Sequence, residues 1–135
     1  MGIAVTEAPQ SGDGFELISG SWLQALSGGQ NFRDQSVVAH AGGTQTPATQ
    51  IGPNAAVVYV KTVASASDSV KLPAAKKGMI VMVLNGTATN ANLYGFNATD
   101  TINGTLGSTA FTLTANKAAL FFCPADGFWG SIGGS

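Results

Sequence analysis

The residues that could do chemistry from residue 55 onward, with the single histidine, are His40, Cys123 and the aspartates Asp68, Asp100 and Asp126. A nucleophile needs a base held beside it. A structural zinc needs several nitrogen or sulfur donors, and glycoside hydrolysis needs two facing carboxyls. The chain holds one histidine and one cysteine, too few for a histidine-based zinc site. His40 sits in Val37-Val38-Ala39-His40-Ala41-Gly42 with no motif around it and reads as structural or exposed. Cys123 ends the apolar run Leu120-Phe121-Phe122 and reads as a small buried hydrophobe. As the sole cysteine it cannot form an intrachain disulfide. The three aspartates lie in turn-like settings, where an Asp side chain bonds nearby backbone N–H groups. Calcium would need carboxylates and carbonyls gathered in one loop, yet the most polar loop, 97–103, carries only Asp100. Gly42-Gly43 lacks the Lys-Ser/Thr of a phosphate loop. The expectation is a protein that is not an enzyme, with no catalytic residue, no metal ligand and no cofactor.

Tyr94, Phe96, Phe128 and Trp129 could instead line a sugar-binding face. Burial in a core or a subunit interface is the stronger reading, because aromatic side chains dominate both. Asn85, Asn97 and Asn103 head glycosylation sequons. With no basic segment followed by an apolar stretch at the N-terminus, they read as turn asparagines. Lys76-Lys77 reads as a solvated turn tip.

The elements that would carry these residues come from a chain of unusual texture. Charged residues make up 10% of its 135 residues, against roughly 25% in an ordinary soluble domain. The net charge is −1, which excludes a nucleic-acid footprint. The longest apolar run, 79–84, is far too short to span a membrane. Net charge near zero removes the repulsion that keeps small proteins apart, so much of this surface is expected to touch protein.

Residues 1–54 alternate polar, Gly-rich stretches with short apolar islands and read either as an extended N-terminal arm that lies across a neighbour or as strands that cover the following domain. A short helix is expected near Ser21–Leu26, with Ser21 as its cap. From residue 55 the reading is all-β. Strands are expected over 56–62, 69–72, 79–84 and 92–96, and Asp100-Thr101-Ile102 leads into an Asn-Gly pair at 103–104. A hairpin is expected from 109–114 returning over 118–123, and a last strand over 128–132. The run Met79–Leu84 reads as a fully buried strand, and Asn85-Gly86 and Asn103-Gly104 read as tight turns. Short, evenly spaced strands with Gly, Pro and Asn between them predict a small β-sandwich or jelly-roll-like barrel over 55–135.

The order Asp68-Ser69-Val70-Lys71-Leu72-Pro73, Gly78 with its apolar strand, Asn85-Gly86, Asp100-Thr101-Ile102-Asn103-Gly104, Phe111–Thr114, Ala118–Cys123 and Asp126-Gly127-Phe128-Trp129 resembles small virion proteins of tailed bacteriophages. Those are capsid decoration (cement) proteins and head-fibre bases. The resemblance implies a homotrimer made in the host cytoplasm and seated on the outer surface of the virion capsid, with an arm reaching onto the major capsid protein. By their apolarity, Phe15, Leu17, Trp22, Leu23 and Phe32 are the protein-interface candidates in that arm. The alternative is a glycan- or host-surface-binding module of a head or tail fibre.

Overall fold

The computed structural model describes residues 34–135. The arm candidates Phe15, Leu17, Trp22, Leu23 and Phe32 and the expected helix near Ser21 lie outside the described residues. Eleven strands and no helix make up the described part: β1 (Asp34–Val38), β2 (Thr49–Gln50), β3 (Val57–Thr62), β4 (Ser69–Lys71), β5 (Ile80–Asn85), β6 (Ala91–Tyr94), β7 (Thr101–Ile102), β8 (Thr105–Leu106), β9 (Phe111–Leu113), β10 (Ala118–Ala125) and β11 (Phe128–Gly133). The all-β expectation therefore holds.

The connectivity does not follow a sandwich or jelly roll. Strands β1 to β6 go alternately to two sheets. The odd ones form the parallel ladder β1-β3-β5 and the even ones the parallel ladder β2-β4-β6. The chain thus coils as a β-solenoid with two strands per turn. Each turn takes about two dozen residues: Asp34 pairs with Val57 and Val57 with Met82 on one side, Thr49 with Val70 and Val70 with Leu93 on the other. A sandwich grows by antiparallel hairpins within a sheet. Here each link crosses to the opposite sheet, so the next strand returns parallel to its predecessor. Pro53 and Pro73 each follow an even-numbered strand closely, where an imino acid without an N–H ends pairing at little cost.

The C-terminal third closes the coil with mostly antiparallel pairs, β7 alone running parallel to its neighbour β11. β10 pairs with β5 and β11 with β10, while β7 and β8 extend the large sheet to the order β1-β3-β5-β10-β11-β7-β8. β9 joins the small sheet, β2-β4-β6-β9. The expected hairpin of 109–114 with 118–123 is therefore not formed, because its two arms lie in different sheets. Leu113 and Phe121 each bury fully, but from opposite sides of the core. Asn116, at φ 59°, turns the link between them. The Asn103-Gly104 turn joins β7 to β8 with both residues at positive φ, 52° and 82°, as a two-residue hairpin loop requires.

The boundary expected after residue 54 also moves. Residues 34–54 form the first turn of the coil, because Val37, Ala39 and Ile51 bury in the same core as the rest. The core fills the space between the sheets. Val58, Val60, Val81, Val83, Phe121 and Trp129 come from the large sheet, and Val70, Leu93 and Leu113 from the small one. Phe111 and Phe121 meet edge-on, ring centroids 5.3 Å apart at 75°. At about 1.5–3 kcal/mol per large side chain, this core is the main stabilising term of the described part.

Candidate functional site

The candidates for chemistry do not gather into a metal-holding cluster among the described residues. His40 is exposed and its backbone bridges to Ser69. Asp68 is buried and closes a tight loop. Its carboxylate accepts from Ala64 N at 2.7 Å, Ser65 N at 3.1 Å and Ser65 Oγ at 2.8 Å. The Ser65 hydroxyl leads the effects holding its acid strength above that of an ordinary carboxyl, with the backbone N–H groups of Ser65 and Ala64 adding to it and burial opposing. Asp100 is buried and accepts from Asn97 N and Asn97 Nδ2, both at 3.3 Å. Asp126 lies at the surface, accepts from Lys77 N at 2.8 Å and stands 3.9 Å from Lys76 Nζ. Such an exposed pair adds little.

Burial pushes the Cys123 thiol up, with the charges of Asp126 and Asp100 acting the same way against opposing backbone hydrogen bonds. Its S–H donates to Ala125 O at 3.0 Å. A thiol held protonated is a poor nucleophile. Among the described residues no three His, Cys, Asp or Glu side chains converge to hold a metal ion.

The aromatic candidates are divided as well. Tyr94 and Trp129 are buried, whereas Phe96 and Phe128 are exposed. They do not form one outward-facing platform. Asn85 does more than turn the chain: it is fully buried at the end of β5. Its Nδ2 donates to Thr89 O at 2.8 Å and Leu113 O at 3.1 Å, and its Oδ1 accepts from Thr87 N and Thr87 Oγ1. It staples the end of the large sheet to the small one. An Asn followed by Gly looks the same in sequence whether it turns or staples, so the pattern could not separate the two.

The feature that stands out is the outer face of the large sheet. Strand β5, expected to be buried on both sides, alternates: Val81, Val83 and Asn85 point inward, and Ile80, Met82 and Leu84 point to solvent. Its neighbours continue the pattern. Val57, Met82, Leu120 and Ile132 align in one row across four strands. Tyr59, Leu84 and Ala118 form a second row, and Ile80, Phe122 and Gly130 a third. Ile132 is 65% exposed, Ile80 59% and Met82 44%.

Two aromatic rings lie flat on this face instead of projecting from it. A Cβ on Gly130 would stand 2.6 Å from Phe122 Cζ, and one on Gly86 would stand 2.6 Å from Tyr59 Cζ. Only glycine admits a ring that close, so both glycines are required for the rings to lie over them. Among the residues that point outward from β1, β3, β5, β10 and β11, only Asp34 and Lys61 are charged. Contiguous apolar area rimmed by polar groups marks surfaces that bind other molecules. The signal for it was in the sequence as the unbroken run Met79–Leu84. What the run could not tell is whether the chain itself covers both sides of the strand.

Comparison with known proteins gives no match: no family model, no curated protein and no solved structure aligns with the chain.

Proposed function

We propose that this protein is a non-enzymatic assembly subunit, a phage capsid decoration (cement) protein that stabilises the head shell by adding protein–protein contacts. The observation that supports this reading is the nearly uncharged, apolar outer face of the large sheet. It offers contact area and no reacting group. The low charge of the whole chain points the same way, and the resemblance of residues 68–132 to small tailed-phage virion proteins supplies the major capsid protein as the proposed partner. The proposed mechanism is additive: buried apolar area stabilises each contact by about 25 cal/mol per Å2, association costs offset much of that, and repetition over a lattice multiplies what remains.

The glycan-binding alternative gains no support from the aromatic side chains, since Tyr94 and Trp129 are inside the fold. The test is to mix the purified full-length chain with heads assembled without it. The expected result is saturable co-sedimentation and a higher temperature of head disruption. Absence of binding at micromolar concentrations, with folded protein, would overturn the reading.

A further inference from the structure

Three pairs among the described residues join an amide or carboxyl side chain to a following glycine: Asn85-Gly86, Asn103-Gly104 and Asp126-Gly127. In such a pair the glycine backbone nitrogen can attack the preceding side-chain carbonyl carbon, because a residue without a Cβ leaves the approach open. The fold treats the three differently. Gly86 N donates to Val60 O at 3.1 Å and lies under the Tyr59 ring, while the Asn85 amide is fully buried and bonded through both its nitrogen and its oxygen. Gly127 N donates to Ala75 O at 3.0 Å, and the Asp126 carboxylate accepts from Lys77 N. Gly104 N has no acceptor among the described residues. It sits at φ 82° in the exposed tip between β7 and β8, with open space where a Cβ would stand.

We infer that Asn103-Gly104 is a site of self-modification, where the chain converts Asn103 to aspartate and isoaspartate. Gly104 N loses its proton to hydroxide and bonds to Asn103 Cγ. The Cγ–Nδ2 bond breaks and ammonia leaves, closing a five-membered succinimide. Water then opens the ring. Attack at Cγ restores an ordinary aspartyl peptide; attack at the Asn103 main-chain carbonyl leaves the backbone running through Cγ, as isoaspartate. In sum one water is consumed and one ammonia released. The fold sets the pace. Asn103 Nδ2 donates to Ser131 Oγ and Asn103 Oδ1 accepts from Ser131 N, both at 2.8 Å. Bonded at both ends, the amide is not free to swing its carbon toward Gly104 N, so the reaction proceeds from a briefly opened tip. That opening is easy, because β7 and β8 are two residues each at the edge of the large sheet, where local stability is lowest. Each conversion puts one more negative charge on a chain whose net charge is −1. Isoaspartate also adds a methylene to the main chain, which a two-residue turn with both residues at positive φ does not accommodate. The β7–β8 edge then frays while β10 and β11 stay paired. None of this depends on the capsid reading.

The experiment is to age the full-length protein in warm, mildly alkaline buffer, separate the charge variants by ion exchange and locate the changed residue by peptide mass mapping, with Asn103→Gln and Ser131→Ala alongside. Asn103 is exposed and Ser131 half-buried, so the fold tolerates both changes, and circular dichroism verifies this. The expected result is an acidic form modified at Asn103. Conversion there should exceed that at Asn85 about tenfold or more, since the buried site opens far less often. Asn103→Gln should keep its charge at that position, because the longer side chain would have to close a six-membered ring. Ser131→Ala takes away one of the two bonds that hold the amide and should convert about fivefold faster. In the separated isoaspartyl form, amide exchange should quicken in residues 101–106 and hardly change in β10. An unchanged Asn103 over a period that converts it fully in the urea-unfolded chain overturns the inference, as do equal rates at Asn85 and Asn103. A Ser131→Ala protein that converts no faster than the parent overturns the pacing by Ser131, and unaltered exchange in 101–106 overturns the fraying.

Discussion

The two sheets share one core but treat their outer faces in opposite ways. Outside the small sheet stand Gln50, Ser69, Lys71, Asn92 and Thr112, and the loop 41–48 is strapped across them by side-chain hydrogen bonds. Ser69 Oγ donates to Gly42 O at 2.7 Å, Lys71 Nζ to Thr46 O at 3.2 Å, Gln45 Nε2 to Gly95 O at 2.8 Å, and the Tyr94 hydroxyl to Gly43 O. Outside the large sheet, among the described residues, nothing equivalent crosses Ile80, Met82, Leu84, Leu120, Phe122 and Ile132. The difference teaches what each kind of surface can recruit. A polar face can satisfy an irregular loop, so the chain covers it with itself. An apolar face offers such a loop no hydrogen-bond partners, and among the described residues it stays exposed.

Substitutions can break or sharpen this contrast. The largest effect is expected between the sheets, where both faces depend on the same support. Phe121→Ala should cost about 3–5 kcal/mol, read as a shift of the denaturation midpoint. If the loss were small, the two faces would not share a core. Next is Asn85→Leu, which removes the side-chain donor to the Leu113 carbonyl and the acceptor of Thr87 N and should cost about 2 kcal/mol.

Tyr94→Phe removes one strap from the small sheet and should cost about 1 kcal/mol. Amide exchange should quicken in residues 41–48 and hardly change in β5. On the other side, Met82→Glu should alter the stability of the single chain by less than about 0.5 kcal/mol while weakening head binding. A destabilisation as large as that of Tyr94→Phe would mean that the apolar face is braced by its own chain.

The mildest prediction concerns acid. The Asp68 carboxyl titrates lower in the folded chain than in an unfolded one. Its contribution is therefore complete at neutral pH and is lost as pH falls below about 4, the ordinary carboxylate range. Asp68→Asn should be less stable than the parent at pH 7, and the gap should narrow on acidification. A gap that widens would contradict the hydrogen-bond arrangement around Ser65.

Most strands after residue 55 were legible because β-branched and aromatic residues cluster between Pro, Gly and Asn. The coil was not. Its trace was the recurrence of a short β segment ending near a proline, as in Thr49-Gln50-Ile51-Gly52-Pro53 and Ser69-Val70-Lys71-Leu72-Pro73, at a spacing of about one turn. The first of these was grouped with an arm because the Gly- and Thr-rich residues around it carry little apolar weight. Val37 and Ile51 find their partners only when the next turn stacks on them, which local composition does not show. The hairpin misreading of 109–123 has a similar cause. Alternation tells which side of a strand is buried, but not which of two facing sheets the strand joins. For the site, every residue of the apolar face was visible as a hydrophobe. Its openness to solvent follows from the topology alone.

The parallel coil has a mechanical consequence. In a stack of turns each layer is held mainly by the one beside it. A pull applied at Asp34 would therefore load β1 and its ladder to β3 first, leaving the antiparallel C-terminal strands untouched until the turns before them had gone. Each released turn of about two dozen residues lengthens the chain by roughly 80 Å at about 3.4 Å per residue. Tension entering from the N-terminal side would then be absorbed as a series of small extensions instead of a single rupture, so a subunit held that way could give ground layer by layer and rewind when the load falls.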